Sequence, residues 1–193
     1  MKKYFAFLLF ILMIVSVVAI SGCINQEEPK KELRKFTKDG VEYIFNNNIY
    51  DSLNISIQDE QYVKASIDSA QSIIIAFNGS SLEDNSYFSV VSYNVVEKLK
   101  NYFVYSKGQI NIDFKAIDIE QNKTIPGGAT LIFLRGPNTG ARGTSVYYDG
   151  NCIVNNVSIA SFNSCIMVQG TDYKNFSLAA DKLILSVLNV DVK

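Results

Sequence analysis

The chain has 193 residues, a formal charge of −1, three cysteines, no histidine, no tryptophan and 48% hydrophobic residues. This apolar content, with 12% aromatics and three prolines, excludes a disordered polypeptide, and the near-neutral charge excludes the broad cationic field that gathers nucleic acid. The lack of histidine removes the usual general base and the commonest metal ligand, so no metal, no cofactor and no catalytic residue is expected.

Lys2 and Lys3 precede an apolar core from Phe5 to Ile20, which closes on Ser21, Gly22 and Cys23. A basic start, a hydrophobic core and small residues before a cleavage point are the parts of a secretory signal in order, and a cysteine in the next position makes Ile20-Ser21-Gly22-Cys23 a lipobox. Cleavage after Gly22 would leave Cys23 as a lipidated first residue. The rival is an uncleaved signal anchor, because the apolar run lies between a signal core and a spanning helix in length. Either places the rest of the chain on the extracytoplasmic face of the cell membrane, and a lipid anchor there needs two acyl chains to hold firmly. The expected organisation is a signal or membrane segment at 1–22, a lipidated cysteine and polar tether at 23–38, and one extracytoplasmic domain at 39–193. In the tether, Glu27, Glu28 and Glu32 dilute Lys30, Lys31, Arg34, Lys35 and Lys38, which either hover over anionic headgroups or are simply solvated.

Val41 to Phe45 alternates apolar and polar residues after Asp39-Gly40 and predicts a first strand. Gln58 to Gln71 sets Val63, Ile67 and Ala70 at helical spacing, and Ile73 to Phe77 is a short apolar run of the kind buried on both faces of a sheet. Ser86 to Tyr105 carries Phe88, Val91, Val95, Leu99 and Tyr102 at steps of three and four, and Gly108 ends it. Ile110 to Ala116 alternates, Thr130 to Leu134 is a second dense strand, and Ser145–Tyr148 with Ile153–Asn155 flanks Asp149-Gly150 as a hairpin. Cys165 to Val168 is another strand, and Phe176 to Val190 a helix buried on most sides. The order predicts an α/β or α+β fold, a mixed β-sheet flanked by about three helices and preceded by an N-terminal signal or anchor helix.

With Cys23 assigned to the anchor, Cys152 and Cys165 form an even pair, suited to an oxidising compartment. They are expected to bridge, which would contribute about 3 kcal/mol for so short a loop; the alternative is two buried free thiols. The acceptor triplet Asn-x-Ser/Thr occurs at Asn54, Asn78, Asn122, Asn156 and Asn175. These are glycosylation candidates in an exported glycoprotein, or the product of an Asn- and Ser-rich composition.

Only the segment from Leu134 to Ser145 has the look of a binding site. Its Arg135, Gly136, Thr139, Gly140, Arg142, Gly143, Thr144 and Ser145 follow a buried strand. Glycines, arginines and hydroxyls so placed could turn backbone N–H groups toward an anion. No Gly-Lys-Ser/Thr closes the segment and a strand follows it, so the phosphate-loop pattern fails; the plainer reading is a polar loop stiffened by Pro137. Asp113, Asp118 and Glu120 read as solvated carboxylates, and no Gly-x-Ser-x-Gly or Ser-x-x-Lys motif occurs. Most tyrosines and phenylalanines read as core, with Tyr147-Tyr148 pointing to opposite faces of one strand.

By Ile20-Ser21-Gly22-Cys23 the N-terminus resembles the prokaryotic lipoproteins, a match confined to the first 23 residues. Together with the sequons it resembles archaeal surface lipoproteins more than bacterial ones. The runs Leu131–Ala141 and Ala179–Leu185 are similar to uncharacterised archaeal envelope proteins, a likeness over roughly the last third that implies no activity and no catalytic residue. Three functional readings follow: a membrane-tethered envelope module that contacts another envelope protein or a glycan; a small-anion or solute-binding accessory protein using loop 135–145; and, least favoured, an enzyme of unfamiliar type.

Overall fold

Six strands make the central sheet of the computed structural model, which describes residues 32–79, 81–119, 124–125, 128–150, 158–159 and 164–190. In chain order the elements are β1 (Lys35–Lys38), β2 (Val41–Ile44), α1 (Ile49–Leu53), β3 (Ser56–Gln58), α2 (Glu60–Asp68), β4 (Ser72–Phe77), α3 (Leu82–Asn101), β5 (Asp113–Asp118), β6 (Thr124–Ile125), β7 (Thr130–Arg135), β8 (Ser145–Tyr148), β9 (Ser158–Ile159), β10 (Ser164–Gln169) and α4 (Tyr173–Val187). The sheet order is β3-β8-β10-β7-β4-β5. β5, β4, β7 and β10 run parallel, β8 is antiparallel to β10, and β3 follows β8 in direction. The chain is therefore α/β with a mixed sheet, as its element order predicts, and the described residues hold four helices where about three are expected. The N-terminal signal or anchor helix falls outside the described residues.

Alternation along the central strands divides the core in two. Ile73, Ile75 and Phe77 of β4 join Ile132 and Leu134 of β7 against residues from all four helices, including Ile49, Ile67, Phe88 and Phe176. Ile74, Ala76, Leu131, Phe133, Cys165 and Met167 form a second buried cluster on the opposite face, with Ile119 and Ala129. Burial on both faces is why β4 and β7 read as unbroken apolar runs. Each side chain so buried stabilises the fold by about 1.5–3 kcal/mol.

The starts of α3 and α4 are fixed by short polar side chains. Ser81 Oγ accepts from Asp84 N (3.0 Å) at the start of α3, and Asp172 Oδ1 accepts from Asn175 N (2.7 Å) at the start of α4. Each satisfies an amide that the first turn leaves without a partner. α3 therefore begins at Leu82, ahead of the Ser86 start that apolar spacing suggests, and continues into a π-helical turn over Tyr102–Ser106.

Three expectations need correction. Residues 35–38, read as tether, are strand β1, and the compact unit begins at Glu32. Phe36 stacks on Tyr43 (5.4 Å) and Phe45 (5.9 Å), a contact invisible to local alternation. Of the basic residues there, Arg34 and Lys35 make exposed pairs with Glu32 and Glu42, and Lys38 donates to the Leu188 carbonyl. The alternating strand after Gly108 starts at Asp113 because the neighbouring β4 starts at Ser72, its register partner, and Ile110 is left exposed. Finally, β8 does not depend on the hairpin partner suggested by Asp149-Gly150: both its edges are filled, by β10 and by β3. Residues 153–155 lie outside the described residues.

Candidate anion-binding cleft

Register assembles the site. Gln169, the last residue of β10, stands opposite Arg135 of β7 on one side and Ser145 of β8 on the other. Tyr147 of β8 stands opposite Gln58 of β3. Period-two alternation puts Arg135 and Gln169 on the same face as Phe133 and Met167, away from the helices. At the carboxyl end of the parallel strands the apolar core on that face thus gives way to a polar rank. Open α/β sheets hold their ligands at this end.

Gln58, Arg135, Arg142, Ser145, Tyr147 and Gln169 line a cleft of about 190 Å³ there. Its floor is built: Gln169 is only 8% exposed, donates from Nε2 to Ser145 Oγ (3.1 Å) and accepts at Oε1 from the backbone N–H of Arg142 (3.4 Å). One carboxamide therefore orients the hydroxyl and tethers the loop that carries the second arginine. The Arg135 guanidinium carbon lies 5.7 Å from the centre of the Phe133 ring, which favours a cation over its face. Among the described residues the lining holds two arginines and no carboxylate, and guanidinium donors suit the planar or tetrahedral oxygens of carboxylates and phosphates.

Of the loop residues singled out from sequence, Arg135, Arg142 and Ser145 meet in the cleft, while the remaining five do not line it. Gly136 lies under Phe88, where a Cβ would sit 2.9 Å from the ring; its N–H donates to Thr139 Oγ1 (2.8 Å), and the Thr139 N–H returns to the Gly136 carbonyl (3.2 Å). Gly140 supplies the left-handed turn at φ 80°. Gly143 and Thr144 are half-buried beside it. The N–H groups of Gly136, Thr139 and Arg142 are spent on holding the loop's own shape, so these three do not take part in the expected nest of backbone amides.

Behind the loop, the fully buried Asp84 of α3 accepts from Asn138 Nδ2 (3.0 Å) and from the Tyr173 hydroxyl (2.7 Å). This hydrogen bond to a carboxylate pushes the Tyr173 phenol up to about 12. Asp84 thereby ties the start of α3 to the turn after β7 and to the start of α4. Composition gives no hint of Gln58, Tyr147 or Gln169 in the cleft, because a polar residue near the end of an apolar strand has no local signature.

The remaining sequence candidates lie elsewhere. Cys165 is disulfide-bonded and buried on β10, while its expected partner Cys152, the lipidation candidate Cys23 and the sequons Asn122 and Asn156 lie outside the described residues. Asn54 is exposed at the end of α1, Asn78 is half-buried after β4, and Asn175 sits in the first turn of α4 with its Nδ2 donating to Asp172 (2.6 Å). Asp113 is exposed and paired with Lys115 (3.2 Å). Tyr148 packs on Tyr62 at 5.8 Å, opposite the face that carries Tyr147. A larger hollow, about 550 Å³, opens at the other edge of the sheet between Ala70-Gln71 and Gly108–Ile112; among the described residues no charged side chain borders it. Comparison with known proteins finds no match among family models, curated proteins or solved structures.

Proposed function

We propose that this chain is a membrane-tethered, extracytoplasmic binding module that takes a small anion, or the anionic end of a larger solute, between Arg135 and Arg142. The observation that carries this reading is the convergence of both guanidiniums, from strand and loop, on a cleft floored by a hydrogen-bonded Gln169–Ser145 pair. The volume, about 190 Å³, is below that of sites for drug-sized ligands and suits a phosphate or a compact carboxylate. The tether rests on Lys2-Lys3, the apolar core and Ile20-Ser21-Gly22-Cys23. Intact-mass measurement of protein from native membranes is expected to show loss of 1–22 and a lipid on Cys23, and an unmodified full-length mass would overturn that part.

Calorimetric titration of the full chain with inorganic phosphate, pyrophosphate and citrate tests the cleft. Saturable binding of at least one is expected, weakened roughly tenfold or more by Arg142→Ala, as for loss of a hydrogen bond to a charged group. No binding of any of the three, or binding indifferent to both Arg135→Ala and Arg142→Ala, would overturn it. The envelope-interaction reading draws on one other feature, the outer stripe of α3, where Leu82, Val90 and Tyr93 are exposed. The exposed aromatics are Tyr62 on α2, Tyr93 on α3 and Tyr105 on the π-helical turn that continues α3.

A further inference from the structure

Two charged side chains are buried where α3 packs on α4. Asp181 is 7% exposed and Lys98 6%. Both line a narrow hollow of about 10 Å³ with Asn94 and Ser177, a space that admits about one water. Among the described residues they are not in direct ion-pair contact. The Asp181 carboxylate instead accepts from Asn47 Nδ2 (2.7 Å), which also donates to Ser177 Oγ (2.8 Å). Lys98 Nζ lies 5.3 Å from the centre of the Phe45 ring, a weaker companion for a cation than a touching carboxylate. Each charge is thus removed from water with only part of the compensation an intimate pair would give, and the ionised forms bear a desolvation penalty that neutral forms escape.

We propose that Asp181 is a proton switch in the α3–α4 interface, taking up a solvent proton on acidification and thereby stabilising the fold. The proton binds one carboxylate oxygen. The neutral acid still accepts from Asn47 at its carbonyl oxygen and gains an O–H to donate into the hollow. The groups facing Asp181 are Lys98 and Tyr87 from α3, Asn47 from the segment before α1 and Ser177 from α4 itself, with Glu97 acting on Lys98. Burial is the strongest influence and pushes Asp181 up to about 6, over the opposing pull of Asn47 and Lys98. It also pushes Lys98 down from its ordinary value. Since the folded chain holds this proton more tightly than the unfolded chain does, the stability it confers is complete below about pH 4 and is lost as pH rises through about 6.

Urea unfolding of the full chain and of Asp181→Asn, from about pH 4.5 to about pH 7.5, reads the switch. The variant is expected to be the more stable form at the upper end, by up to a hundredfold on the order of magnitude in unfolding constant, with the advantage shrinking as pH falls. A difference that does not change with pH would overturn the proposal. Carboxyl-carbon NMR of the unmodified chain gives an answer that does not depend on the variant folding: a midpoint near 6 for Asp181 is expected, and one at or below the ordinary carboxylate range contradicts the switch. Lys98→Met should move that midpoint upward through loss of the nearby positive charge; an unmoved midpoint would contradict the coupling of the two residues.

Discussion

Asp84 illustrates how much of the cleft depends on residues that never touch a ligand. It is fully buried, and its carboxylate receives Asn138 from the arginine loop and Tyr173 from α4. Asp84→Ala would strand these donors and loosen both elements at once. The expected cost is about 2 kcal/mol, read as a lower urea midpoint at unchanged slope, together with weaker anion binding. Asn138→Ala leaves the buried Asp84 carboxylate one donor short and should cost about 1–3 kcal/mol, with the Tyr173 hydroxyl still in place. Gln169 acts more directly: Gln169→Leu keeps the volume but removes the bond to Ser145 and the tether on Arg142, so it should lower anion affinity more than it lowers stability. Equal affinities for the variant and the unmodified chain would exclude the carboxamide as the organiser of the cleft.

At the level of elements, close backbone contact and aromatic stacking decide what sequence spacing leaves open. The first turn of α4 passes Gly170 so closely that a Cβ there would lie 2.2 Å from Phe176 N. Backbone cannot yield as a side-chain tip can, and Gly170→Ala is expected to cost about 3 kcal/mol. β1 offers a second test. A chain beginning at residue 39 loses Phe36 from its stack with Tyr43 and Phe45 and should be less stable by about 3 kcal/mol than one beginning at residue 32. Equal stability would return 35–38 to the tether. The elements most legible from sequence are β4, β7, β10 and α4, since burial on both faces or most sides leaves an unbroken apolar run. Apolar spacing puts the start of α3 too late, at Ser86, because it does not register the Ser81 cap or Glu83 and Asp84 in the first turn. β1 and the pairing of β8 are not legible, because each is settled by a partner distant in sequence.

For the molecule as a whole, the same division separates what sequence could and could not reveal of the site. Loop 135–145 announces itself through glycine, arginine and hydroxyl content, yet half of the cleft comes from Gln58, Tyr147 and Gln169. These meet only because six strands order themselves β3-β8-β10-β7-β4-β5 and place their carboxamides, phenol and arginine on one face. Helices occupy the other face, where Asp181 and Lys98 are buried between α3 and α4. The proposed anion cleft and the proposed proton switch lie on opposite sides of one sheet, and Asp181→Asn should leave anion affinity unchanged at neutral pH. The most direct test of the cleft is a two-dimensional amide NMR titration of the full chain with inorganic phosphate, pyrophosphate and citrate. Saturable shifts confined to Gln58, Arg135, Arg142, Ser145, Tyr147 and Gln169, and lost in the Arg135→Ala/Arg142→Ala double variant, are the result predicted here; shifts absent from these residues, or persisting in the double variant, would contradict it.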